Sequence, residues 1–573
     1  MPSLGIHLLV ADSAFARLGS SKDSDVRSLA PVVGAFPEMA SLGAIGPDLL
    51  YYLNGGPKIA AAVADVFHFL NRLTGVFGDL ATIAQQGGMP NVANRIQQLG
   101  DMATLAVGTS QAGLLKSAVD LYQTITGSHL FKPSEQQDEQ QEKDWNWGDL
   151  LHDRISGTFA TTLLTKARRS ADGPLLAYAT GYMTHLATDF VGHPYVNTVV
   201  GGPARGWNMR HTLAEKFMDA SVFQRKKLDI NTSKLHTRFS SLADSDQLHG
   251  FCGTLAGAIE ELGHDLSIGY RLKPACKDEE IRSAFDAMCT LFRMVTESAC
   301  VAPPKAPRIV IPPIPGKYGT LTHAVAGMLP PGRPRTMSDW LRALLALLAG
   351  APALIADMTR FVIDCAAGVA GYTLAAGLFV FQSYLYSLYR QVRWFLVISG
   401  VLFPCNDELG TPFARQFTES RGPNDDNYPH VPPDVSEWTH KVTDRIVFVA
   451  NNFDYLNYPA TPGEVPSAKP SLYPAGTTPE LFMFDLQRDD QFVAAWLAAA
   501  TPSEVRKLVI AIPPLKPPYQ GGFGNAADLS ILLLSRPDIA AKINLDSDRG
   551  YGYRQWRCSG GFKTGKIANE VFI

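Results

Sequence analysis

The chain has 573 residues, of which 18% are charged and 46% hydrophobic, with a net charge of −3 and a pI near 6.5. Hydrophobic content this high excludes general disorder, which needs few apolar residues and a large net charge. A near-neutral balance leaves no electrostatic footprint for bulk nucleic-acid binding. The low charge density, against roughly 25% in a typical protein, points to a large buried core or to contact with lipid.

Residues 1–300 read mostly as helix. The opening MPSLGIHLLVADSAFARLG has no basic stretch and no long apolar run, so no Sec-type signal is expected. The expected location is the cytoplasm, or outside it by a signal-independent route such as effector secretion. DLLYYLN, KIAAAVADVFHFLNRLTGVFGDLATIAQQ, NVANRIQQLGDMATLAVG and LLKSAVDLYQTITG each repeat apolar residues at i, i+3, i+4. The polar run 133–143 reads as a solvated loop. Trp145 and Trp147 precede His152 and read as a groove lining, a lid or core. Further helices are expected near 181–193, 211–220, 248–262 and 279–297.

Nine prolines crowd residues 302–334, which no long helix tolerates. From Cys365 to Tyr389 there are 25 residues without a charge, more than the roughly 20 that span a bilayer. A membrane span, reversible lipid contact and buried core all remain open for this tract. The expected organisation is a helical domain over 1–300, a Pro-rich linker over 301–339, a hydrophobic helical segment over 340–404, and an irregular α+β region over 405–573. In the last, VRKLVIAIPP and DLSILLLS read as strand or short-helix cores. The seven cysteines contain no CxxC pair, which argues against a thiolate zinc site. They read as buried free thiols, although Cys276, Cys289 and Cys300 are near enough in sequence to bridge.

Chemistry concentrates in GYMTHLATDFVGHPYVN. His185, Asp189 and His193 follow at four-residue steps, so they share one helix face. Adjacent pairs are one turn apart, but the outer two histidines are about 12 Å apart along the axis. That is too far for one zinc ion with bonds of about 2 Å. Two ions are therefore expected, with Asp189 between them. Pro194 is expected to stop the helix. Further on, His211 and Glu215 form a second i, i+4 pair. Nitrogen and carboxylate donors without thiolate suit a hydrolytic zinc site. One such pair is usually a salt bridge, whereas two close together in an apolar setting would leave buried polar atoms unpaired without a metal. His129, His236, His249, His264, His323, His430 and His440 form no such group.

The order and spacing HxxxDxxxHP…HxxxE resembles the zinc-dependent phospholipase C family, a mainly helical fold. The closest pattern is that of the branch with glycosylphosphatidylinositol-specific phospholipase D-like and bacterial homologues. GIHLLVADSAF is similar to the family's N-terminal helix with its metal-binding His, here His7. GAIGPDLLYY is similar to the family's Gly-Ala-x-x-Pro-Asp turn, here with Asp48 as ligand and base. The family's next helical His is matched by His68. No Trp precedes His7, which departs from the secreted members. The resemblance implies two to three Zn2+ per chain. His193, His211 and Glu215 would hold one; Asp48, His68, His185 and Asp189 a second; His7 and a bridging Asp189 a third. It also implies hydrolysis of a membrane phospholipid's phosphodiester by zinc-bound hydroxide, with the membrane surface as partner and no nucleic acid. A zinc single-strand nuclease of the same fold and a non-catalytic membrane-inserting protein are the alternatives.

Overall fold

The computed structural model describes residues 4–53, 56–85, 94–101, 147–148, 151–152, 156–200, 204–228, 235–239, 242, 246–265, 276–297, 355–367, 374–398, 400–418, 478–498, 521, 524–541, 543 and 545. These residues are overwhelmingly helical, and no β-strand occurs among them. The principal helices are α1 (Leu4–Leu18), α2 (Pro37–Ile45), α3 (Gly56–Gln85), α4 (Ser156–Ser170), α5 (Gly173–Val200), α6 (Ala204–Arg225), α7 (Asp246–Asp265), α8 (Asp278–Glu297), α9 (Leu374–Ile398) and α10 (Ala526–Ser535). The expected mainly α class is met. The polar 133–143 loop, the Pro-rich 302–334 and VRKLVIAIPP lie outside the described residues. DLSILLLS falls within α10.

The chain divides into two compact units. One comprises residues 1–57, 128–292 and 406–573; the other comprises 58–127 and 293–405. These boundaries differ from the expected 1–300, 301–339, 340–404 and 405–573. Residues 58–127 join the later apolar tract, and the C-terminal region joins the N-terminal helices. Composition along the chain cannot register such a discontinuous exchange.

The first unit is organised on α5, whose faces are covered all round. Leu175, Tyr178, Tyr182, Met183, Leu186, Phe190, Tyr195 and Val196 are all buried. A helix apolar on every side belongs at the centre of a domain. It meets α2 backbone to backbone. A Cβ on Gly43 would lie 2.0 Å from the Tyr178 carbonyl oxygen, and one on Gly181 would lie 2.0 Å from the Ala40 carbonyl oxygen. Only glycine at both positions permits this approach. Contrary to the sequence expectation, α5 runs through Pro194 to Val200. An interior proline costs about 3 kcal/mol, and burial of Tyr195, Val196 and Val199 just beyond it offsets that cost.

C-terminal segments complete this unit. Tyr195 donates through its hydroxyl to the Phe417 carbonyl at 3.1 Å and packs its ring on Phe482. Leu529, Leu533, Leu534, Ile539, Ile543 and Leu545 are buried. The Gly157 amide donates to the Ile543 carbonyl at 3.0 Å. Arg17 of α1 pairs with Asp528 of α10.

In the second unit, α9 buries Leu378, Phe381, Leu385, Tyr389, Val392 and Leu396. A Cβ on Gly377 would lie 3.0 Å from Cys365 Sγ. Among the described residues no single helix is long and apolar enough to cross a membrane. The uncharged tract 365–389 is described only in part, since 368–373 lie outside. Cys252, Cys276, Cys289, Cys365 and Cys405 are free thiols.

Candidate metal centre

Five separate stretches of the first unit bring their side chains to one buried place. His7 comes from the first turn of α1, where it is fully buried. Asp48 comes from the 3-10 turn Gly46–Tyr52 that follows α2. Gly46 opens that turn with φ +58°, a conformation that favours glycine. A Cβ there would also meet His185 Cγ at 3.0 Å. The turn therefore lies directly on the histidine whose site it completes.

His185, Asp189 and His193 line one face of α5, and His211 and Glu215 one face of α6. His185 donates from Nδ1 to the Ala44 carbonyl at 3.1 Å. That bond fixes the tautomer and leaves the Nε2 lone pair facing the cluster, the usual arrangement for a metal-binding histidine. The His7 and His185 rings stack with centroids 4.2 Å apart.

The remaining member is His152, which sequence reading assigned no role in the cluster. Its Nε2 lies 2.8 Å from Asp189 Oδ2 and 3.7 Å from Asp48 Oδ1. The Tyr182 hydroxyl donates to the Leu151 carbonyl at 3.2 Å and so ties this segment to α5. The position expected for His68 is thus filled by His152. His68 is exposed on α3, in the part that belongs to the second unit, and is absent from the cluster. Residues 58–127 belong to that unit and stand in the sequence between Asp48 and the histidine that meets it. Trp147 is half-buried, and Trp145 lies outside the described residues.

The donors fall into three groups, each with ligand atoms within 4.8 Å of one another: His7, His185 and Asp189; Asp48, His152 and His185; and His193, His211 and Glu215. His185 offers one lone pair and can serve one ion at a time. Asp189 sits among the groups. Its Oδ1 is 3.1 Å from His7 Nε2 and 3.7 Å from His193 Nε2, and its Oδ2 is 2.8 Å from His185 Nε2. His211 Nε2 is 2.9 Å from Glu215 Oε1. As the four-residue spacing implied, His193 sides with His211 and Glu215 while His185 sides with the other groups.

Short as several of these distances are, both His7 nitrogens, Asp48 Oδ1, His185 Nε2 and both Asp189 oxygens make no hydrogen bond. Buried polar atoms are seldom left so. Convergent, orphaned nitrogen and carboxylate atoms fit a bound divalent cation, and the donor set suits zinc.

The electrostatics agree. Burial pushes Asp48 up to about 7, against the pull of His185 and His152. Burial and His185 push His7 down to about 4. Burial also holds His193 well below its ordinary range. Asp189 would be raised by burial, but His185, His7, His152 and His193 hold it well below the usual carboxylate range. Lone pairs on neutral imidazoles and anionic carboxylates are what a metal requires, so His7, His193 and Asp189 are ready for one, whereas Asp48 gives up its proton on binding.

Residues 6–264 match the family model described as zinc dependent phospholipase C. No curated protein and no solved structure gives a significant match.

Proposed function

The chain belongs to the zinc-dependent phospholipase C family through residues 6–264, and from that premise we propose that it cleaves the phosphodiester of membrane phospholipids on the glycerol side. The observation that carries this reading is the set of orphaned buried donors centred on Asp189. His193, His211 and Glu215 would hold one zinc ion. Asp48, His152 and His185 would hold a second, and His7 with a bridging Asp189 a third.

Zinc bound there lowers the pKa of water toward about 7 and neutralises charge developing on the phosphoryl oxygens. The chain's own residues do the rest. Asp48, with its acidity near neutrality, orients the attacking water and takes its proton at the carboxylate oxygen that holds no zinc. The water approaches phosphorus opposite the glycerol oxygen. The bond to that oxygen breaks and the proton held on Asp48 passes to it, releasing diacylglycerol and the phosphorylated head group. The His185 ring, locked by the Ala44 carbonyl, keeps the donor geometry fixed through the step. A membrane surface is the proposed partner.

The test is product analysis on phosphatidylcholine vesicles, with single-stranded DNA as a parallel substrate. Phosphocholine and diacylglycerol are the expected products. Phosphatidic acid would indicate cleavage on the head-group side, and activity on DNA alone would replace the lipid reading with a nuclease.

A further inference from the structure

On α6, His211, Glu215 and Asp219 succeed one another at one-turn intervals. The first two belong to the metal centre; the third does not. Asp219 is nonetheless fully buried. Its Oδ2 accepts a hydrogen bond from the Gly5 amide at 2.9 Å, and its Oδ1 accepts one from the Ile6 amide at 3.3 Å. Those amides belong to the first turn of α1, where no intrahelical acceptor exists. A carboxylate there also meets the positive end of the helix dipole. The contact is tight: a Cβ on Gly5 would lie 2.6 Å from Asp219 Oδ2 and 2.9 Å from Phe223 Cε2.

The next residue after this anchored pair is His7. Its ring is fully buried, stacked on His185 and 3.1 Å from Asp189 Oδ1. A helix rises about 1.5 Å and turns about 100° per residue. A slip of α1 by a single residue would therefore carry His7 off the cluster. We infer that Asp219 is a positioning residue that sets the start of α1 and thereby holds His7 against Asp189. The inference rests on the zinc reading above and deepens it. The chain uses one helix, α6, both to supply ligands and to hold the helix that supplies another.

The test is zinc titration of the full chain, by chelator competition and by metal analysis, in Asp219→Ala, Asp219→Asn, His7→Ala and the double variant Asp219→Ala/His7→Ala. Asp219→Ala is expected to weaken, by at least about tenfold, the same zinc equivalent that His7→Ala loses; supporting groups around metal ligands have effects of roughly 10–100-fold. The equivalent held by His193, His211 and Glu215 stays. Asp219→Asn keeps one acceptor oxygen and is expected to fall between wild type and Asp219→Ala. The double variant is expected to lose no more than His7→Ala alone. Asp219 variants that bind every equivalent as wild type does would overturn the inference. So would loss of all equivalents with unfolding in both Asp219→Ala and Asp219→Asn, or a double variant that loses more than His7→Ala. A wild-type chain that binds no zinc overturns the zinc reading and this inference with it.

Discussion

Replacing His152 by alanine should cripple one metal group, and replacing His68 should change nothing measurable. His152 Nε2 is 2.8 Å from Asp189 Oδ2 and shares a donor group with Asp48 and His185. Its removal leaves that group with one carboxylate and one imidazole of its own. Losing a residue that merely supports a ligand costs roughly 10–100-fold in metal affinity, so losing a ligand should exceed the upper bound. That is at least about 100-fold, or roughly 2.8 kcal/mol at 1.4 kcal/mol per factor of ten. His68, exposed on α3, should shift stability by no more than about 0.5 kcal/mol and leave zinc affinity alone. The assay is zinc titration of both variants against a calibrated chelator, with thermal unfolding as the folding control. A folded His152→Ala protein that binds zinc like wild type, or a His68→Ala protein that loses an equivalent, would refute the placement.

Three other outcomes follow from the geometry. Gly43→Ala should destabilise by about 3 kcal/mol or more, since overpacking costs typically 1–3 kcal/mol and its Cβ would meet backbone 2.0 Å away; chemical denaturation within 0.5 kcal/mol of wild type would contradict the close α2–α5 crossing. Truncation before Asn525 removes six buried Leu and Ile side chains from Leu529 to Leu545, worth roughly 9–18 kcal/mol as an upper bound. Against a typical total of about 5–15 kcal/mol, the first unit of the truncated chain should lose its cooperative unfolding transition in calorimetry, and a transition of wild-type size would be the contrary result. In the metal-free protein, Asp48 is raised from 3.8 to about 7, so its contribution disfavours folding increasingly as pH rises across that window. His7 is lowered from 6.5 to about 4, so its contribution disfavours folding as pH falls between those values. Zinc uptake at pH 6 should accordingly expel a proton from Asp48 and at pH 8 should not. The proton released at pH 6 is read by calorimetry in buffers of different ionisation enthalpy, and no release at that pH would contradict it.

Much of the centre was legible because its spacing is local. His185, Asp189, His193, His211 and Glu215 announce themselves by i, i+4 steps that a helix turns into one face. His7 and Asp48 are far from these in sequence and were reached through the family's order of motifs. His152 was not reached. Nothing local marks it, and the stretch 58–127, which folds into the other unit, places His68 nearer to Asp48 along the chain. Pro194 misled for a related reason: local propensity predicts a stop, while burial of the residues beyond it carries α5 onward. The role of α10 was equally hidden. DLSILLLS shows that something is buried, but only the fold shows that it packs against helices some 350–500 residues earlier, with its Asp528 paired to Arg17 of α1. The low charge that marks the whole chain is explained in part by α5 and α9, both of which place apolar side chains in the interior.

The most direct measurement is the zinc content of the purified full chain at neutral pH, taken together with phosphocholine release from phosphatidylcholine vesicles before and after chelation. At least two zinc ions per chain are predicted, with release abolished by chelator and restored by added zinc. A folded chain that carries no zinc and takes none up on titration would contradict the metal centre and the hydrolase reading with it.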